Sequence, residues 1–228
     1  MTSKSGQIIV KVTPAESVTA MLYPAAKEAR LGATIILGHG AGADQLSSFM
    51  RMAAAGMSER GFEVLTFNFL YKEQGRGIPD PNPRLELCYR AVIDAALKHR
   101  KLKGNKLIIG GKSMGGRIAS QVAAANGAGI DGLVFLGYPL HPPGRPDKSR
   151  DAHLQQVKAP MLFCQGSRDP FGTEEEIKAI VKKHRLPATL YVIAGGDHSF
   201  KVSKSAEVPQ QQIYENVLDE IVRWGGEL

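Results

Sequence analysis

The stretch Lys106-Leu-Ile-Ile-Gly-Gly-Lys-Ser-Met-Gly-Gly-Arg117 decides the fold class of this chain. The short apolar run 106–110 is typical of a buried strand, and the residues from Met114 onward follow a helical pattern. Between them, Gly111-Lys-Ser-Met-Gly115 matches the pattern G-x-S-x-G. Because the chain must reverse sharply here, the flanking glycines keep Cβ atoms out of the bend. The stretch therefore predicts a strand–turn–helix unit that projects the hydroxyl of Ser113 from the top of a sheet.

Apolar strand patterns and helical patterns alternate on both sides of this unit. This order predicts an α/β fold, a mostly parallel sheet with helices on both faces. The first two strands have no helix between them, so we expect an antiparallel edge at the N-terminus. The predicted strands are 7–12, 17–23, 33–37, 63–67, 106–110, 131–136, 160–165 and 188–193, and the predicted helices are 46–60, 84–103, 114–126, 173–185 and 209–224.

Length and composition point to one globular domain over residues 1–228. The chain is 43% hydrophobic and 22% charged, which is ordinary globular usage and argues against disorder. We find no signal-peptide pattern and no apolar run long enough to span a bilayer, so no membrane partner is expected. Cys88 and Cys164 are too few for a disulfide framework, and neither lies in a CxxC pair. A reducing compartment, the cytoplasm, is therefore expected.

The net charge is +7, from 29 Lys and Arg against 22 Asp and Glu. Part of this charge is local, since Lys98–Lys106 holds five Lys and Arg residues and no acid. We interpret this segment as the solvated end of a helix, where positive charge complements the helix dipole. No aromatic side chains are interleaved with these cations, so nucleic acid is not expected as a partner. Whether the segment has another partner is left open.

Two glycine-containing stretches resemble nucleotide-binding motifs but do not fit them. Gly111-Lys112-Ser113 could end a Walker A loop, but that motif needs a glycine at position 106, which is a lysine. The stretch 38–43 fits a relaxed G-x-G-x-x-A fingerprint. The strand that follows ends Phe67-Asn-Phe-Leu70 without the acid that would bind a ribose. We therefore expect no nucleotide cofactor.

The glycine-rich stretch 38–42 has a better use in acyl transfer. That chemistry builds negative charge on a carbonyl oxygen, which two backbone N–H groups can stabilise. In this architecture one donor follows the nucleophile, and the other comes from the loop after an earlier strand. The N–H groups of Met114 and Ala41 are thus the candidate oxyanion hole.

A serine needs a neighbouring base to act as a nucleophile. His198 follows the last strand and precedes the last helix, which places it at the same sheet edge as Ser113. His141 is the main competitor. His99 and His184 lie in basic helical runs and are expected to be solvated.

The orienting acid should lie between the serine and the histidine in the chain. Asp169 does so and directly follows the strand 160–165. Asp147 is the fallback. Asp197 is adjacent to His198, and because neighbouring side chains diverge there it makes a poor partner.

These residues together resemble the α/β-hydrolase superfamily. The chain also resembles, more narrowly, the small Tex-type (testis-expressed) hydrolases and the hydrolase-like subunit of the non-specific-lethal acetyltransferase complex. That narrower likeness rests on the segments Gly110–Arg117, Tyr138–Pro143 and Arg150-Asp151. The chain is also similar, more loosely, to dienelactone hydrolases. Their nucleophile is a cysteine, whereas this chain has Ser113 at that position. The resemblance implies no particular ester.

The resemblance and the residues lead to the same expectation of function. We expect a serine hydrolase that cleaves a carboxylic ester or thioester through an acyl-enzyme, with no metal and no organic cofactor. A hydrolase-fold interaction module without turnover, and a serine peptidase or acyltransferase, stay open as alternatives.

The loops at the candidate site carry expectations about the substrate. Too few residues separate the strands 131–136 and 160–165 for a lid domain, so an open site for a small-molecule ester is expected. Leu140 and His141 are candidate substrate-binding residues. An anionic substrate is a hypothesis based on the cations in and beside the loops 71–83 and 137–150, namely Arg76, Arg84, Arg145, Lys148 and Arg150.

Overall fold

Eight strands form one sheet in this computed structural model, which describes residues 6–203 and 205–228. In chain order the strands are β1 (Gly6–Lys11), β2 (Ser17–Tyr23), β3 (Ala33–Gly38), β4 (Glu63–Phe67), β5 (Lys106–Lys112), β6 (Gly132–Leu136), β7 (Met161–Gly166) and β8 (Ala188–Ile193). Their order across the sheet is β1-β2-β4-β3-β5-β6-β7-β8.

The strand pairing confirms the predicted mostly parallel sheet with an antiparallel N-terminal edge. β1 pairs antiparallel with β2, and β2 pairs antiparallel with β4. All other neighbouring strands are parallel. Gly38 at the end of β3 is paired with both Phe67 and Gly111. The carboxyl ends of the central strands therefore meet at one edge, where sites form in such sheets.

Helices cover both faces of the sheet, as predicted. They are α1 (Ser48–Glu59), α2 (Leu70–Glu73), α3 (Asn82–Lys98), α4 (Met114–Ala125), α5 (Glu174–His184) and α6 (Gln210–Gly226). No helix in the described ranges combines the length and the apolar composition that crossing a membrane requires.

Each face of the sheet has its own apolar core. One core packs α3, α4 and α5 against the sheet, and the other packs α1 and α6. Successive side chains of β3 alternate between them, since Ile36 lies in the first core and Ile35 and Leu37 lie in the second. This alternation explains why a strand buried on both faces reads as a continuous apolar run.

The predicted helix 84–103 ends earlier than expected, at Lys98. His99 takes an extended backbone conformation, and the chain turns so that Leu102 is buried against the core. Most cations of the basic segment therefore lie beyond the helix, in an exposed turn, and not in its last helical turn. The short helix α2 was not predicted.

The connection between β6 and β7 confirms the absence of a lid domain. Residues 137–160, all of which the structure describes, form only two short 3₁₀ turns, Pro146–Lys148 and Leu154–Gln156.

Candidate active site

Ser113 lies at a sharp bend between β5 and α4. Its backbone is strained, with φ 51° and ψ −116°, a conformation that residues with a side chain rarely adopt. The bend packs against β3 at a distance that only glycine permits. A Cβ atom on Gly115 would lie 2.1 Å from the carbonyl oxygen of Gly38. The glycines of G-x-S-x-G are therefore required by close backbone contact, as the sequence predicts.

In the structure, the His198 ring connects Ser113 and Asp169 through two hydrogen bonds. The Nε2 atom of His198 lies 2.8 Å from the Ser113 hydroxyl oxygen. Its Nδ1 atom lies 2.7 Å from Oδ2 of Asp169. The three residues follow β5, β8 and β7, whose carboxyl ends share one edge of the sheet. Because a carboxylate only accepts hydrogen bonds, the Nδ1–H of His198 points to Asp169 and the lone pair of Nε2 faces the serine.

Two further donors hold the Asp169 carboxylate, which is 1% exposed. The Phe171 N–H donates to Oδ1 at 2.8 Å, and the Gln165 side-chain amide donates to Oδ2 at 2.8 Å. Gln165 is itself oriented, since its Oε1 accepts from the N–H of Tyr138 at 2.8 Å. Donors fixed in this way stabilise the negative charge of the carboxylate. Sequence reasoning missed Gln165, because a glutamine at a strand end carries no motif.

Lys112 is a second residue that the sequence analysis did not single out, since it is only a variable position of the motif. Its ammonium group donates a hydrogen bond to the backbone carbonyl of His198. Burial lowers the pKa of Lys112 to about 8, although the nearby Asp169 and Asp197 act in the opposite direction. The contact links the strand before the nucleophile to the loop that carries His198.

Ala41 and Met114 line the same cleft as Ser113. The phenolic hydroxyl of Tyr71 donates to the carbonyl of Ala41 at 2.8 Å, which ties the glycine-rich loop to helix α2. The structure therefore brings both residues of the candidate oxyanion hole to the cleft that holds Ser113.

His39 holds the base of the same loop. Its Nδ1 lies 2.8 Å from the carbonyl oxygen of Gly40, and its Nε2 accepts from the N–H of Phe69 at 3.2 Å. Burial lowers the pKa of His39 to about 4, so the ring is neutral near pH 7. A neutral ring with Nδ1–H satisfies both contacts.

The cleft over Ser113 has a volume of about 630 Å³. Apart from His198, its charged lining side chains are three cations and one acid, namely Lys112, Arg117, Arg150 and Asp80.

The structure corrects the assignment of Leu140 and His141 as substrate-binding residues, because neither lines the cleft. Leu140 is buried in the core. His141 is 6% exposed, and its Nε2 lies 3.1 Å from a carboxylate oxygen of Glu176 on α5. Their loop runs along the sheet edge but turns these two side chains inward. His141 therefore does not compete with His198, which alone contacts the serine among the described histidines.

Asp147, the fallback acid, and Asp197, the acid set aside, both have other partners. Asp147 forms an exposed ion pair with Arg145 at 2.9 Å. Asp197 accepts backbone N–H groups within its own turn, from Ser199 at 2.7 Å and from Lys201 at 2.9 Å.

The expectation that His184 is solvated is wrong. Its side chain is 11% exposed, and its Nε2 lies 2.7 Å from Oδ2 of Asp151. This contact joins the end of α5 to the loop after β6, two distant segments whose proximity local charge patterning does not reveal.

A comparison with known protein families shows which family the chain belongs to. The model of the alpha/beta hydrolase domain matches residues 32–226. The chain belongs to this family. The match begins just before β3 and ends with α6, so it includes the strands and loops that carry the candidate site.

Solved structures share the hydrolase fold over nearly the whole chain. An α/β serine hydrolase homologue from Coxiella burnetii is 20% identical, with a TM-score of 0.75, over 98% of this chain and 97% of that one. An α/β serine hydrolase without a lid from Xanthomonas campestris is 20% identical, with a TM-score of 0.76, over 98% and 96%. A dienelactone hydrolase from Anabaena variabilis is 20% identical, with a TM-score of 0.74, over 98% and 95%.

Proposed function

We propose that this α/β-hydrolase is a serine hydrolase that cleaves a small-molecule carboxylic ester or thioester through an acyl-enzyme. The observation that carries the proposal is the line from Asp169 through His198 to Ser113, with contacts of 2.7 and 2.8 Å. Such a line activates a serine whose hydroxyl is otherwise a weak nucleophile.

The proposed reaction uses only groups of this chain and water. The Ser113 oxygen attacks the carbonyl carbon while Nε2 of His198 takes the serine proton. The N–H groups of Met114 and Ala41 hold the developing oxyanion. The tetrahedral intermediate collapses, and His198 returns the proton to the leaving alcohol or thiol. Water then attacks the acyl-enzyme while His198 takes a proton from it. The second tetrahedral intermediate collapses, His198 gives that proton to the Ser113 oxygen, and the acid is released. Asp169 holds the neutral imidazole in the required tautomer and stabilises the imidazolium that forms when Nε2 takes a proton.

The shape of the site supports an enzyme that is undemanding about the size of the leaving group. The cleft holds about 630 Å³, and the connection between β6 and β7 does not form a domain above it. We also propose that the whole chain is one hydrolase domain, since one sheet carries a core on each face.

The two cysteines support our proposal of a cytoplasmic, reducing location. Cys88 and Cys164 are both buried free thiols.

A fluorophosphonate probe tests the assignment of the nucleophile. We expect mass spectrometry to map the probe to Ser113, and Ser113→Ala to abolish both labelling and turnover of para-nitrophenyl butyrate. Ser48→Ala is the matched control, because Ser48 is an exposed serine that lines the same cleft. It should leave labelling intact. A folded wild-type protein that is neither labelled nor active would instead support an interaction module.

A further inference from the structure

Two arginines lie in the cleft beside the candidate nucleophile. Arg117 and Arg150 are both partly buried and both line the cleft over Ser113. Arg117 lies four residues after the serine, and its backbone N–H donates to the backbone carbonyl of Ser113 at 3.1 Å. Arg117 is thus in the first turn of α4, and it lines the same cleft as Ser113.

Both guanidinium groups donate their hydrogen bonds to uncharged oxygen atoms. Arg117 donates to the side-chain oxygens of Gln121 and Asn82, each at 3.2 Å. Arg150 donates to the carbonyl of Pro139 at 3.3 Å. Within residues 6–203 and 205–228, neither arginine forms an ion pair with a carboxylate. Each guanidinium has five N–H donors, so both retain donors for a ligand.

The two charges are close enough to affect each other. Burial, and then the positive charge of Arg150, lower the pKa of Arg117. The carboxylate of Glu86 acts in the opposite direction, but it is paired with Arg90 at 3.4 Å. A bound anion would relieve the remaining repulsion between the two partly buried cations.

Hydrogen bonds of its main-chain N–H and carbonyl groups fix the backbone of Arg150. Its N–H donates to the Leu140 carbonyl at 2.8 Å, and its carbonyl accepts from the Tyr138 hydroxyl at 3.0 Å. The next residue, Asp151, is tied to His184 at 2.7 Å. These contacts fix the position from which the arginine enters the cleft, and a prearranged charge loses less entropy on binding.

The remaining charges of the cleft leave it positive. Lys112 adds a third cation. Among the described residues, Asp80 is the one acid that lines the cleft, and its carboxylate pairs with Arg76 at 2.6 Å and with Arg84 at 3.5 Å. Of the loop cations that the sequence suggested for an anionic substrate, only Arg150 lines the cleft.

We propose that Arg117 and Arg150 form an anion subsite that binds a carboxylate group carried by the ester substrate. The planar guanidinium fork matches the two oxygens of a carboxylate, which gives orientation as well as attraction. The proposal rests on the proposed function, and it narrows the substrate class to acidic esters.

Matched pairs of esters test the subsite. One pair carries the charge on the acyl side, mono-para-nitrophenyl adipate against para-nitrophenyl hexanoate. The other carries it on the leaving group, para-carboxyphenyl butyrate against para-carbamoylphenyl butyrate. At low ionic strength we expect kcat/KM for at least one acidic ester to exceed that of its neutral partner about tenfold or more, which equals about 1.4 kcal/mol. Added salt should shrink the ratio, since salt screens charges.

The acidic-to-neutral ratio should fall about tenfold in Arg117→Gln and in Arg150→Gln. Arg145→Gln is the matched control, because it removes the same charge from an exposed side chain outside the cleft. It should leave the ratio unchanged. Two separate variants protect the test against one that fails to fold. A wild-type ratio near one for both pairs, or a ratio that survives both substitutions, would overturn the subsite.

Binding of adipate, measured by calorimetry, separates the subsite from the hydrolase assignment. Adipate binding that both Arg117→Gln and Arg150→Gln weaken tenfold would support the subsite even if no ester were cleaved and Ser113 were unlabelled. Ester turnover at Ser113 without any preference for acid, and without adipate binding, would reject the subsite and keep the hydrolase.

Discussion

Replacing Asp169 by asparagine should separate the charge of this residue from its shape. Oδ2 of Asp169 faces two donors, Nδ1–H of His198 at 2.7 Å and the side-chain amide of Gln165 at 2.8 Å. Oδ1 faces a third donor, the N–H of Phe171 at 2.8 Å. An asparagine side chain in the same place has one acceptor oxygen and one NH₂ group, so a donor must meet a donor in either orientation of the amide.

Gln165 cannot rotate to relieve the conflict. Its Oε1 accepts from Tyr138, and its amide also donates to the carbonyl of Gly172 at 2.8 Å. If the new NH₂ group faces His198, the ring must change tautomer and then offers Ser113 an N–H in place of a lone pair. If it faces Phe171, a buried N–H loses its acceptor, which costs about 1–3 kcal/mol of stability.

We therefore expect Asp169→Asn to lower kcat on an alkyl ester about 10²-fold or more, and to lower it less on an aryl ester, whose leaving group needs no proton. The measurements are pH-stat hydrolysis of ethyl butyrate, release of para-nitrophenol from its butyrate, and urea denaturation. Asp147→Asn is the control, since it makes the same chemical change in the exposed pair with Arg145. Near-wild-type turnover of ethyl butyrate by Asp169→Asn, or severe loss in Asp147→Asn, would refute the reasoning.

Three further results are expected. Burial lowers the pKa of His39 to about 4, so its stability contribution is complete above the ordinary pKa of about 6.5 and is lost as the pH falls toward 4. Burial also lowers the pKa of His153 to about 4, so in urea denaturation at pH 5.5 the stability loss of the wild type should exceed that of His39→Asn by about 1.4 kcal/mol, and equal losses in the two proteins would contradict this. Gly115→Ala would place a Cβ atom 2.1 Å from a backbone oxygen, so it should lower the free energy of unfolding by about 3 kcal/mol or more in the same assay. Gly226 has open space around it among the described residues, so the control Gly226→Ala should change this free energy by less than about 1 kcal/mol. Ser113 has φ 51°, a conformation that glycine adopts more easily than alanine. Ser113→Gly should therefore be about 1 kcal/mol more stable than Ser113→Ala, although both variants are inactive. Equal melting temperatures of the two variants would show that the bend is not strained.

The sequence was a reliable guide where the cause of structure is local. The elbow around Ser113 was predictable because a strand that reverses into a helix needs glycine where backbones touch. The strands were predictable because burial on both faces leaves a continuous apolar run. The end of α3 was not, because the chain leaves the helix at Lys98 to bury Leu102, and the energy of that packing depends on the core and not on the helical pattern.

For the site, the sequence by itself determined the order of the candidate groups and the sheet edge that they share. Chain order places Ser113, Asp169 and His198 after strands whose carboxyl ends must meet in a parallel sheet. Only the tertiary structure decided which side chains touch. It turned His141 inward to Glu176, gave the Asp169 carboxylate its donor from Gln165, and placed Arg117 and Arg150 in one cleft. Such contacts join residues far apart in the chain, and their distances follow from the packing of whole elements, which no local pattern encodes.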